Sequence, residues 1–130
     1  MEQRDPPQKP GQAREIVVGD GAEQWEAPGT SITSVWLDLE DGLDVEVEGA
    51  AETHDPNEGV VIINVIDPAT GGAASIRGYR GGLYVAPGGT GAITLTSVSG
   101  SLSASDLVVR YSSAGGSGTF NVATQSFSSR

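Results

Sequence analysis

Val60-Val61-Ile62-Ile63-Asn64-Val65-Ile66, opened by Gly59 and closed by Asp67-Pro68, is the longest apolar run in the chain. Apart from Asn64 it is all valine and isoleucine, and it is too short for an independent helix, so it reads as a buried strand. Successive side chains of a strand face opposite ways. Val61, Ile63 and Val65 make one wholly apolar face, while Val60, Ile62 and Ile66 make a second broken only by Asn64. A two-layer protein needs one such face for its core. The other predicts a cover, either the N-terminal arm or a neighbouring subunit, with Asn64 requiring a hydrogen bond wherever it lies.

Upstream, Val35, Leu37 and Leu39 alternate with Trp36, Asp38 and Glu40, and Leu43, Val45 and Val47 alternate with Asp44, Glu46 and Glu48, around Asp41-Gly42. A two-residue Asp-Gly turn would put Leu37 and Leu39 on the face of Asp44 and Glu46. A three-residue loop, Glu40-Asp41-Gly42 with Gly42 as a bulge, instead pairs Leu39 with Leu43, Leu37 with Val45 and Val35 with Val47. The reading with one apolar and one acidic face predicts the second register and turns Trp36 outward, where it becomes an interface candidate. A short strand at 15–18 and further strands at 73–79, 82–86, 92–98, 106–112 and 118–124 are separated by glycine-rich breaks such as Gly81-Gly82, Gly88-Gly89 and Gly115-Gly116. No amphipathic helix is evident. The chain is predicted to be all-β, an antiparallel β-sandwich of about eight to nine short strands in jelly-roll or immunoglobulin-like order. Residues 14–130 form the single domain, and residues 1–13, with Pro6, Pro7 and Pro10, form a flexible arm.

Charge is segregated along the chain. Residues 15–76 hold fourteen acids and no lysine or arginine, within a net charge of −10 overall. Such a field repels phosphate backbones, so nucleic acid is not an expected partner. With no apolar run of spanning length and no apolar h-region after Met1-Glu2-Gln3-Arg4-Asp5, neither a membrane span nor a signal peptide is expected. The absence of cysteine removes disulfides and thiolate metal sites.

The inventory for catalysis is thin. His54 is the only histidine, and no serine sits in a Gly-x-Ser-x-Gly elbow. Ser117 lies between glycines in an ordinary turn pattern, and the strand acids alternate with core residues as on a solvated face. The protein is therefore expected not to be an enzyme and to need no cofactor. Asp38, Glu40, Asp41 and Asp44 around Gly42 are weak calcium candidates, hard oxygen donors that do not match the spacing of a calcium loop. Gly88-Gly89-Thr90-Gly91 does not match a phosphate loop. Arg77-Gly78-Tyr79-Arg80 reads as a basic turn. Trp25, Trp36, Tyr79, Tyr84 and Tyr111 are the aromatics that could stack on sugars.

The proline-bearing arm from Pro6-Pro7 to Pro10, the short sandwich strands and the Ser112-Ser113-Ala114-Gly115-Gly116-Ser117-Gly118 turn resemble small virion structural proteins of the capsid decoration, turret or minor capsid type. The acidic balance resembles those from viruses of halophilic archaea. The resemblance implies a homo-oligomer, often a trimer, seated on a major capsid protein at the virion surface, with the arm gripping a neighbour and no reaction performed. Interface candidates on this reading are Trp36, Val60, Ile62, Asn64, Ile66, Pro6, Pro7 and Pro10. The alternative is a carbohydrate-binding or adhesion module at a cell surface or in the extracellular space.

The concentrated negative charge predicts that screening stabilises the fold. The unfolding midpoint should rise between low and molar potassium chloride, and equal midpoints would contradict this.

Overall fold

The computed structural model describes residues 16–18 and 29–129. Nine antiparallel strands form two sheets, with no helix among the described residues. The first sheet runs β1 (Ile16–Val18), β2 (Thr30–Glu40), β3 (Leu43–Glu52), β4 (Gly59–Ile66) and β5 (Gly81–Val85), and the second β6 (Thr94–Ser99), β7 (Val108–Ser113), β8 (Gly116–Asn121) and β9 (Ser126–Ser129). Each sheet is a meander in sequence order. The β-sandwich is as expected. Its described strands do not cross between sheets in the interleaved manner of a jelly roll or immunoglobulin domain, because within each sheet every strand pairs with its successor in sequence and the chain passes from one sheet to the other once, between β5 and β6. The stretch 73–79 is not a strand; it makes only isolated bridges, Ile66 with Ala73 and Ile76 with Tyr79. Ser126–Ser129, too polar to stand out in sequence, is one.

The β2–β3 register corrects the expected one. Glu40 pairs with Leu43, Leu39 with Asp44, Asp38 with Val45 and Trp36 with Val47. The turn is the two-residue Asp41-Gly42, with φ of 52° and 78°, as a type I′ hairpin requires at both central positions. Trp36 therefore faces inward. It is 2% exposed and packs in the central cluster with Val45, Val47, Val61, Ile63 and Val65. Val35, Leu37 and Leu39 share the opposite face with Asp44, Glu46 and Glu48.

That outer face is itself partly a core. Ile32, Val35, Ala50, Val60 and Ile62 form a second buried cluster, with Leu37 against it. A register shift between Ile32 and Ser34 makes Thr33 the extra residue of a bulge, which lets Ile32 and Val35 both face outward. Val60 and Ile62 are buried within a single chain, so a second subunit is not needed to cover them. Asn64 and Ile66 are half-buried on the same face. The arm, with Pro6, Pro7 and Pro10, lies outside the described residues, as does Trp25.

The sheets are joined at β6. Ser34 Oγ accepts from Leu95 N at 2.9 Å, Thr33 Oγ1 donates to the Gly49 and Ile93 carbonyls, and Ile93 N donates to Ala50 O at 3.1 Å. Gly49 is what allows the approach: a Cβ there would lie 2.5 Å from Ile93 O. On the other side of the central core stand Leu95, Leu107, Val109, Tyr111, Phe120 and Val122. Tyr84 of the first sheet stacks on Phe120 of the second, and Phe120 on its neighbour Phe127, each with centroids 4.6 Å apart. Gly49→Ala is expected to cost about 1–3 kcal/mol by overpacking, measured by denaturant unfolding; an unchanged midpoint would show that β6 does not rely on this contact.

Candidate functional site

The four calcium candidates are not brought together. The two-residue turn sends Asp38 and Glu40 inward, where both are buried, puts Asp44 on the outer face and leaves Asp41 exposed at the tip. Glu40 serves the fold instead. Its carboxylate accepts from Leu102 N, Ser103 N and Ser103 Oγ, all at 3.1 Å. Ser103 Oγ is also 3.0 Å from Asp41 Oδ2. These charge-assisted bonds tie the β6–β7 loop to the β2–β3 hairpin. Among the described residues no group of three or more His, Cys, Asp or Glu could hold a metal ion. His54 is exposed, with Nδ1 3.6 Å from Glu52 Oε1.

The aromatic candidates divide. Trp36 and Tyr111 are core residues, and Tyr84 packs on Phe120. Tyr79 lines a surface cleft. It is half-buried, and its hydroxyl lies 2.6 Å from that of Tyr84. Burial first, and then the hydrogen bond and charge of Tyr84, hold the Tyr79 phenol above its ordinary range, so it remains a neutral hydroxyl.

The cleft, of about 270 Å³, opens at the end of the sandwich that carries the β4–β5, β6–β7 and β8–β9 connections. Ile76, Leu102, Leu107 and Val122 give it an apolar floor, and Arg77, Tyr79, Ser105 and Gln125 a polar rim. The rim has an unusual backbone. Of the four non-glycine residues with positive φ among those described, three stand here: Arg77 at 51°, Ser105 at 60° and Gln125 at 53°. Left-handed backbone costs an ordinary L-residue about 1–2 kcal/mol, and such costs gather where a site demands a particular side chain.

The fourth such residue, Asp41, shows what the fold prefers. Asp41-Gly42 and Arg77-Gly78 are both two-residue turns with positive φ at each position, the second closed by the Ile76–Tyr79 bridge. Asp-Gly is a favoured pair for this turn and Arg-Gly is not. Arg77 is exposed and makes no ion pair with the described residues. In sequence it reads only as part of a basic turn, and nothing there marks Ser105 or Gln125. The available signal is an arginine where a type I′ turn favours Asn or Asp.

A second unusual group lies on the outer face. Glu48 is 2% exposed between Val35 and Ile62, and its Oε1 has no hydrogen-bond partner among the described residues. Desolvation, with a smaller contribution from the Glu46 charge, raises its pKa to about 7.

Comparison with family models, with curated proteins and with solved structures finds no match for this chain.

Because the folded state holds the Glu48 proton more tightly than the unfolded state, the contribution of Glu48 to stability should be fully present near and below pH 4.5, fall as pH rises towards 7, and level off above it. Glu48→Gln should flatten this slope and stabilise the protein at pH 8 by up to about 3 kcal/mol. Unfolding midpoints at pH 5 and pH 8 for both proteins measure it, and parallel pH profiles would refute it.

Proposed function

We propose that this protein is a non-enzymatic virion structural protein, a capsid-surface decoration or turret component that works through protein–protein contacts. The observation that carries the reading is the outer edge of the first sheet. β5 is an edge strand among the described strands, and on it Leu83 is 48% and Val85 is 44% exposed. Both lie on the outer face, Leu83 opposite Ile62 and Val85 opposite Val60, so the buried outer cluster runs out into an exposed apolar margin. Proteins usually blunt such an edge with lysine, proline or a bulge. Gly81-Gly82-Leu83-Tyr84-Val85 has no lysine or proline and pairs with β4 without a register shift. An edge of this kind suits strand addition by a neighbouring copy, with main-chain hydrogen bonds supplying affinity and the two side chains supplying register.

The virion assignment rests on the resemblance described above, and the seat on a major capsid protein follows from it. The acidic field is consistent with a soluble outer surface. A carbohydrate-binding or adhesion module is the second reading, favoured by Tyr79 in the wall of an open cleft.

Leu83→Lys combined with Val85→Lys is expected to leave the sandwich folded, because both side chains are exposed, and to reduce an oligomer to monomers and weaken retention on purified capsid shells. Light-scattering mass and co-sedimentation with shells measure this. A wild-type monomer that ignores shells would sink the proposal.

A further inference from the structure

We infer that the cleft bounded by Arg77, Tyr79, Ser105 and Gln125 is a binding site for a single carboxylated sugar unit, a uronic acid or a similar acidic monosaccharide at the end of a glycan. This inference does not depend on the β5 edge.

Three features of the cleft select that chemistry. Its volume, about 270 Å³, lies just below the roughly 300–1,000 Å³ range of small-molecule sites, which suits one ring better than an extended chain. Its floor of Ile76, Leu102 and Val122 matches the C–H face of a pyranose, and its Ser105 hydroxyl and Gln125 amide can meet ring hydroxyls. Arg77 supplies a planar pair of N–H donors that fits a carboxylate in bidentate fashion.

That guanidinium is exposed and forms no ion pair with the described residues. The carboxylates of Asp106 and Glu40 are held by the β6–β7 loop rather than by Arg77: Asp106 accepts from Ser101 N at 2.9 Å, and Glu40 accepts from Leu102 N and Ser103 N. From residue 77 onward the chain holds Arg77, Arg80, Arg110 and Arg130 against Asp106 alone. Arg77 is the one charged side chain in the lining of the cleft. A bare phosphate would find one cation and an apolar floor that it cannot use. An acidic sugar uses both.

The left-handed backbone of the rim fits this role. Arg77 occupies a turn position that asparagine would fill with less strain, and Ser105 and Gln125 stand in the same conformation on two other loops. Three connections distant in sequence thus present polar side chains around one opening.

The test is a titration of the full chain with sodium glucuronate, glucose, acetate and inorganic phosphate, followed by backbone amide shifts. Glucuronate should shift the amides of Arg77, Tyr79, Ser105 and Gln125 saturably, and glucose should bind more weakly by about tenfold or more, the loss expected without a charge-assisted pair. Arg77→Gln should weaken glucuronate by about the same factor. Arg77→Asn, which suits the turn, should raise the unfolding midpoint and also weaken glucuronate, so that lost binding cannot be ascribed to lost folding. Absence of a saturable shift with glucuronate would overturn the inference. Equal binding of acetate or phosphate would reduce the site to a general anion contact and overturn the sugar assignment, as would full binding by Arg77→Asn.

Discussion

The two-residue turn at Asp41-Gly42 is the constraint on which the rest of the structure depends. Its positive φ at both positions fixes the β2–β3 register, and because side chains alternate, that register assigns every residue from Ser34 to Gly49 to one face or the other. It sends Trp36 between the sheets, where it joins Val47 and Ile63 in the central core. It also points Glu40 inward, and the cost of burying a carboxylate is offset by two backbone N–H donors and a serine hydroxyl of the β6–β7 loop. The hairpin tip and the loop opposite are in this way joined by one side chain.

The same register makes the first sheet apolar on both faces. Val35 and Leu37 leave the central core and join Val60 and Ile62 on the outer side, while Glu46 and Glu48 come with them. Glu48 bears the consequence: it is buried beside another acid and its carboxyl pKa rises to about 7. A sequence that alternates cleanly between acids and aliphatics does not therefore have one wet face and one dry one. The margins of this sheet also differ in kind. At β5 the outer cluster opens into exposed Leu83 and Val85, whereas facing β6 the Thr33, Ser34 and Gly49 contacts lock the second sheet onto the first.

The loop end follows from that locking. Glu40 holds the β6–β7 loop, Val122 N donates to Leu107 O, and Ile76 and Tyr79 close a small turn on each other. These anchors bring together three connections that otherwise share no sequence feature, and the cleft is the space left between them.

By itself the sequence determined the all-β class, the strand character of Val60–Ile66, the hairpin around Asp41-Gly42 and the segregation of charge, because strand periodicity, turn residues and charge are local properties. It also marked Tyr79 as a possible sugar contact. The side taken by Trp36 was not legible: alternation separates two sets of residues but does not say which set meets the core, and the rule that acids face water failed where the sheet was buried on both faces. The unexpected strand at Ser126–Ser129 has the same origin, since its pairing with β8 supplies what its polar residues do not. The strand order and the cleft rim of Arg77, Ser105 and Gln125 belong to the tertiary structure alone, because contacts between distant loops depend on how the two sheets are stacked.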